Sequence, residues 1–421
     1  MPWCNTHDCD VRREWFYAMN NTVLVVNSGS SSLKFQVYAV ERGGTLTRRL
    51  KGQVDGIGTQ PRFVVRDMNG RELVREAAAA ETMPDIGAAI ARAGEWLRAH
   101  AGALPIAVGH RVVHGGPRYA TPMLVDDALI AELELLVPLA PLHQPANLAP
   151  IRALRAQHPQ LPQVACFDTA FHRGHSEFAD RYAVPEELYA EGVRRYGFHG
   201  LSYEYIAACL PDVAPEIARG RVVVAHLGSG ASMCALRGGR SVDSTMGFSA
   251  LDGLPMGTRP GQLDPGVVLY LLSKGMSPQR VEWTLYHDCG LKGLSGISND
   301  VRELLSSSQP RAHFALEYFM FRVARELGAL AASLGGLDGI VFTAGIGENV
   351  ASIREGICQR SGWLGVALDS AANAMGGPRI STTDSWVGVY VIPTDEERMI
   401  AEHTLAVLRG HSINPIMLRG A

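Results

Sequence analysis

Arg111 sits in the apolar run Gly109-His110-Arg111-Val112-Val113, where a guanidinium needs an anionic partner. A second arginine, Arg259, lies in Met256-Gly257-Thr258-Arg259-Pro260-Gly261, inside a Gly/Pro-rich stretch spanning 245–265. His199 follows Gly197-Phe198, and Asp168 closes the apolar run Val164 to Phe167. Two cations, an imidazole and a carboxylate at Gly-rich or strand-end positions suit stabilisation of charge on a transferring anionic group. The turn Asn27 to Lys34 adds an ammonium four residues after Ser30. Lysine is a compact charge suited to phosphate, and Asn or Ser oxygens suit a hydrated Mg²⁺. The chain has no G-x-x-x-x-G-K-[ST] loop, so any phosphate grip is of another kind. His110 and His114 are spaced as a metal pair would be on a helix, but in a strand they stand about 13 Å apart. They are read as structural.

The elements that must position these groups occur twice. V-L-V-V-N-S-G-S-S-S-L-K-F-Q-V-Y, Val23 to Tyr38, and V-V-V-A-H-L-G-S-G-A-S-M-C-A-L, Val222 to Leu236, each run an apolar strand through a Gly/Ser turn into a second strand. Placing Asn27 on His226 gives an offset of 199 (226 − 27) and brings Gly29 onto Gly228. A Gly/Ser turn exposes backbone N–H groups with little side-chain bulk, which suits close approach to phosphate oxygens. So wide a repeat implies duplicated domains, not a solenoid. Between the hairpins, strands and helices alternate, which predicts α/β layers. Helices are expected over 77–100, 129–136, 202–209, 314–334 and 396–408, and a Pro-rich loop over 138–150. Gly345-Ile346-Gly347-Glu348-Asn349 follows a buried strand, as expected of a turn that precedes a helix and contacts a nucleotide.

At 421 residues, 47% of them hydrophobic, the chain is long enough for two cores. Its formal charge of −3 offers no basic field, so nucleic acid is not an expected partner. No apolar run reaches the length of a membrane span. Seven scattered cysteines without a C-x-x-C pair exclude zinc and thioredoxin-type sites and, with no secretory leader, point to the cytoplasm. Residues 1–20 are expected to be a disordered extension. The expected division is residues 21–170 with 395–421, closed by the last helix, and residues 171–394.

The runs N-S-G-S-S-S-L-K, G-H-R-V-V-H-G-G, F-D-T-A-F-H, R-Y-G-F-H-G, H-L-G-S-G-A-S, M-G-T-R-P-G, F-T-A-G-I-G-E-N and P-T-D-E-E stand in the order seen in acetate kinases. The resemblance covers 21–408. It implies a duplicated actin/hexokinase/heat-shock-protein-70-like (ribonuclease H-like) fold with an interdomain active-site cleft, the second domain being the nucleotide-binding and dimerisation domain of a homodimer. It also implies reversible phosphoryl transfer from ATP, with Mg²⁺ (or Mn²⁺), to acetate or propionate, giving an acyl phosphate and ADP. By the resemblance Asn27 and Glu396 are metal positions and Lys34 contacts ATP. His226, Leu227, Gly228, Ser229, Gly230, Asp300, Val301, Arg302, Gly345, Ile346, Gly347, Glu348 and Asn349 surround the nucleotide. Arg111 holds the carboxylate, Val113, Leu142, His143 and Phe198 line the acyl pocket, and His199 and Arg259 stabilise the phosphoryl group. Asp168 is the family's proposed acid/base.

Chemistry modifies that last role. A carboxylate nucleophile with a pKa of roughly 4.3 is already ionised at neutral pH, so Asp168 is expected to orient a cation and not to remove a proton. The chain departs from the family pattern at Ser229, Pro260, Gln262 and Gln144, and Ala250 replaces a proline of the acyl pocket. A pocket wider by a methylene or two is worth roughly 1–3 kcal/mol, so propionate is expected to compete with acetate. A sugar or polyol kinase would need a base and a polar pocket. A non-catalytic relative would not be expected to keep Arg111, His199, Arg259 and Glu396 together.

Overall fold

The computed structural model describes residues 21–29, 31–101 and 105–410. The expected N-terminal extension therefore lies outside the described residues. Within them the chain forms two compact units, residues 21–170 with 396–410, and residues 171–395.

The first unit is built on an eight-stranded sheet: β1 (Thr22–Ser28), β2 (Ser32–Val40), β3 (Leu46–Asp55), β4 (Arg62–Asp67), β5 (Glu72–Ala77), β6 (Ala107–Val112), β7 (Met123–Leu124) and β8 (Gln163–Phe167), in the order β5-β4-β3-β2-β1-β6-β8-β7. The strands from β1 to β5 run antiparallel to their sequence neighbours, while β1, β6 and β8 are parallel. Parallel strands are covered on both faces, which is why β8 is buried throughout whereas β3 keeps exposed positions. Ile86, Ile90, Ala93 and Leu97, at helical spacing on the helix Ile86–Ala101, close one core with Val26, Phe35, Val54 and Phe63. The helix Glu396–Leu408 packs on β1, β6 and β8. Gly109 of β6 makes this close approach possible, because a side chain there would strike Ile400 and Thr404.

The second unit contains β9 (Arg221–Leu227), β10 (Ala231–Arg237), β11 (Arg240–Ser244), β12 (Gly339–Thr343) and β13 (Gly388–Val391), in the order β11-β10-β9-β12-β13. β9, β12 and β13 are parallel. This order repeats the arrangement β3-β2-β1-β6-β8 of the first unit, strand for strand and direction for direction. Ser28 faces Leu33 across the first hairpin and Leu227 faces Ala231 across the second, so the second turn is one residue shorter. Tyr203, Ile206 and Leu210 of the helix Gly200–Val213 pack on Val222, Val224 and Leu236, and the helix Pro310–Leu334 packs on β9, β10 and β11.

Three local expectations need correction. The stretch 138–150 is not a loop throughout, because the helix Gln144–Gln157 begins within it. Pro145 occupies the first turn, where its missing N–H costs nothing, and the apolar spacing of Leu148, Ile151 and Leu154 outweighs the interior Pro150. The helix expected from Ala77 starts only at Ile86, after β5 and a 3-10 turn at Ala80–Thr82. The Gly-rich run after β12 is itself the short helix Ala344–Asn349.

Candidate active site

In the first unit Asn27, Arg111 and Asp168, singled out from the sequence, gather at the carboxyl ends of the parallel strands, where α/β sheets bind ligands. Asn27 ends β1, Arg111 lies near the end of β6, and Asp168 follows β8, its N–H donating to Val112 O at 3.1 Å. Arg111 donates from Nε to Asp168 Oδ1 at 3.0 Å and from Nη2 to Oδ2 at 2.6 Å, a forked pair with the carboxylate almost wholly buried. Nη1 of Arg111 points to Asn27 Oδ1 at 3.5 Å, and Glu396 Oε2 stands 3.9 Å from its Nε. Glu397 accepts from Asn27 Nδ2 at 3.5 Å.

Burial works against the Arg111 charge, but Asp168 and Glu396 outweigh it and hold the guanidinium firmly protonated. Burial also pushes the Glu396 carboxyl up to about 7, with Asp168 and Glu397 adding to the rise and Arg111 opposing it. Among the described residues no three His, Cys, Asp or Glu side chains form a closed metal cage. Mg²⁺ needs none, since it takes one or two carboxylates and completes its shell with water and substrate phosphates. The Asn27 oxygen and the Glu396 carboxyl, crowded by other carboxylates, fit such an ion.

Asn147, in the helix Gln144–Gln157, ties these strand ends together. It accepts from Val113 N at 2.9 Å and donates to Ser28 O at 2.8 Å. Gln144 likewise holds both backbone groups of His114. His110 is buried and bonds Gln163 at 2.8 Å, and Nδ1 of His114 accepts from Gly116 N. Val113 is buried, Leu142 is exposed, and His143 caps the helix start. Lys34 is exposed and borders a separate cavity of about 260 Å³ with Lys51, Arg66 and Glu397.

In the second unit a cavity of about 490 Å³ brings together Gly228, Ser229, Asp300, Val301, Arg302, Gly345, Ile346 and Asn349. Three segments far apart in sequence thus meet at the carboxyl ends of β9 and β12. Asn299 and Val350 also line it, and nothing in their residue types singles them out. His226, Leu227, Gly230, Gly347 and Glu348, also implied for the nucleotide, do not line it. Leu227 is buried in β9, a side chain on Gly347 would touch Phe342 and the Ala225 carbonyl, and Glu348 Oε1 accepts from Ala344 N at 2.8 Å and Thr394 N at 3.1 Å. These three shape the turn. Asp300 caps the helix Val301–Ser306 through Arg302 N at 2.8 Å, and the Arg302 side chain holds its carboxyl down at about 2.

His199 and Arg259 stand beside the second hairpin. A Cβ placed on Gly230 would lie 3.1 Å from Arg259 Nη2 and 3.3 Å from His199 Nε2, so both nitrogens converge on space that glycine leaves open. His199 Nδ1 meets Ser232 Oγ at 2.7 Å, and its ring stacks on His226 with centroids 4.2 Å apart. His226 Nδ1 meets Ser202 Oγ at 2.8 Å. Phe198, buried beside His199, gives its carbonyl to His172 Nε2 at 3.0 Å. Arg259 donates to Ala250 O at 2.8 Å, and among the described residues no carboxylate pairs with it. Burial lowers its affinity for the proton. Backbone N–H groups of Cys289, Leu291 and Lys292 bond the carbonyls of Thr258, Met256 and Gly257, which fixes the loop that carries it.

Duplicated α/β units, a guanidinium with no carboxylate partner among the described residues, and Gly-rich turns around a cavity are features of a phosphotransferase with the actin-like fold. A profile of the Acetokinase family matches residues 22–402. An acetate kinase of Nitrobacter hamburgensis is 61% identical over 397 residues, 94% of this chain and 98% of that protein. One of Rhizobium meliloti is 56% identical, over 92% and 98%. The crystal structure of Porphyromonas gingivalis acetate kinase matches with a TM-score of 0.81 and 36% identity, over 92% of this chain and 100% of that one. A propionate kinase from Francisella tularensis matches at 0.84 and 33%, over 91% and 98%. The chain belongs to the acetokinase family, and with it to the enzymes that phosphorylate acetate at the expense of ATP.

Proposed function

We propose that this chain is a cytoplasmic homodimer that transfers the γ-phosphoryl group of ATP in line to acetate, with propionate competing, and that the first unit's strand-end cluster serves the carboxylate while the second unit's cavity serves the nucleotide. Arg259 carries the reading. It is a buried guanidinium with no carboxylate partner among the described residues, beside a histidine nitrogen and a turn without side-chain bulk. Such a cation is completed by an anion brought to it.

Acetate arrives ionised, so no base is required. Arg111, held flat by Asp168, orients its carboxylate, and the two bonds from Asp168 support the view of that residue as a positioning group. One acetate oxygen bonds to phosphorus as the bond to the bridging oxygen breaks, and that electron pair leaves with ADP. Arg259 and His199 take up charge on the transferring oxygens, which is the main work when two anions meet. Asn27 and Glu396 would hold Mg²⁺, which supplies neutralisation of the ATP phosphates. The dimer reading is supported by the helix Pro265–Ser273, which has no buried residue and exposes Leu269 and Tyr270 by 66% and 57%.

Hydroxylamine trapping of acyl phosphate across formate, acetate, propionate and butyrate tests the substrate range. Acetate and propionate should turn over and butyrate should not. No acyl phosphate from any of the four would refute the proposal.

A further inference from the structure

Beyond the groups that face ATP and the carboxylate, the second unit carries a buried hydroxyl pair that no part of the reaction uses. Tyr203, on the helix Gly200–Val213, and Ser232, on β10, are both fully buried. The Tyr203 hydroxyl lies against Ser232 Oγ, and Ser232 Oγ lies 2.7 Å from His199 Nδ1. Each hydroxyl has one proton, so the direction of the chain decides which ring nitrogen of His199 is protonated.

We infer that Ser232, itself held by Tyr203, is a positioning residue that locks His199 in the tautomer with its proton on Nε2. In that arrangement Tyr203 O–H donates to Ser232 Oγ, and Ser232 O–H donates to His199 Nδ1. The Nε2 N–H then faces the point at Gly230 on which Arg259 Nη2 also converges. A phosphoryl oxygen there would accept from both. The opposite tautomer would aim a lone pair at that oxygen and oppose Arg259. His199 sits at φ 56°, a left-handed conformation, with its ring against both Ser232 and His226. A histidine whose tautomer is set by a neighbour typically loses an order of magnitude or more in rate when the neighbour is removed.

This inference rests on the reading that His199 Nε2 faces the transferring phosphoryl group, and the experiment separates the two. The full-length enzyme, labelled with ¹⁵N-histidine, is compared with Ser232→Ala, Ser232→Thr, Tyr203→Phe and His199→Asn. Long-range ¹H–¹⁵N spectra of the wild type should show His199 protonated on Nε2. Ser232→Ala should give tautomer-averaged shifts and a kcat about tenfold lower, with KM for ATP and acetate within about twofold. Ser232→Thr should restore both readouts. Tyr203→Phe, which keeps the buried ring, should shift the same signals and lower kcat severalfold, and it carries the test if Ser232→Ala does not fold. A wild-type spectrum with the proton on Nδ1 overturns the inference. So do Ser232→Ala and Tyr203→Phe enzymes with wild-type kcat while His199→Asn is impaired. Wild-type kcat in His199→Asn would instead remove the reading on which the inference stands.

Discussion

The two arginines differ in what they are paired with, and that difference sets their roles. Arg111 is forked to Asp168 and therefore rigid, whereas Arg259 donates from Nη1 to a backbone carbonyl, has no carboxylate partner among the described residues, and turns Nη2 towards Gly230. Arg259→Ala should lower kcat at least about a hundredfold and leave ATP affinity nearly intact, measured by steady-state kinetics and calorimetry. Unchanged kcat would take Arg259 out of the mechanism. Gly230→Ala should also cut kcat, by about tenfold or more, because the new methyl occupies the point on which Arg259 and His199 converge. Equal activity in that variant would mean the space is not used. Among the described residues the non-glycine positions with positive φ are His199 and Ala344, at 56° and 64°. His199 stands beside Gly230 of the second hairpin, and Ala344 opens the Gly-rich helix after β12.

At the scale of elements, parallel strands deliver the chemistry and helices fix their ends. Asn27, Arg111 and Asp168 meet because β1, β6 and β8 lie side by side in parallel register. The helix Gln144–Gln157 then clamps two of those strand ends through Asn147. Asn147→Ala removes an acceptor from Val113 N and a donor to Ser28 O, both buried, and should cost about 1–3 kcal/mol per unsatisfied group. Urea unfolding should show the midpoint fall with an unchanged slope, and KM for acetate should rise. A variant as stable as the wild type would show that the strand ends are held by other means. Residue types alone hid this clamp, because the prolines around it read as a loop and an asparagine inside a helix carries no signal.

Across the whole molecule, one five-strand plan is used twice, with the first unit extended by β4 and β5 on one edge and β7 on the other. Its buried histidines give it an acid limit. Burial pushes His110 down to about 4 from 6.5, so the unfolded chain takes up a proton there before the folded one does. The stability this neutral ring permits is complete above about pH 6.5 and declines as pH falls towards 4, by about 3 kcal/mol in all. His110→Asn should flatten that decline relative to the wild type in urea midpoints between pH 7 and 4.5, and parallel curves would contradict the assignment. The exposed helix Pro265–Ser273 bears on assembly. Leu269→Lys should shift the mass seen by light scattering from dimer to monomer, and a wild type already monomeric would end the dimer proposal.

The motif strings and apolar periodicity of this chain were enough to specify an α/β plan, its duplication and the family, because turn glycines and strand patterns act locally. They also marked the three segments that line the cavity of the second unit. Sequence could not separate Gly228 and Ser229, which face that cavity, from Gly347 and Glu348, which brace it, since all four belong to equally Gly-rich runs. Nor could it show that Arg111 is neutralised by Asp168 while Arg259 has no carboxylate partner among the described residues. Pairing depends on which strand ends lie a hydrogen bond apart, and only packing in three dimensions sets that distance.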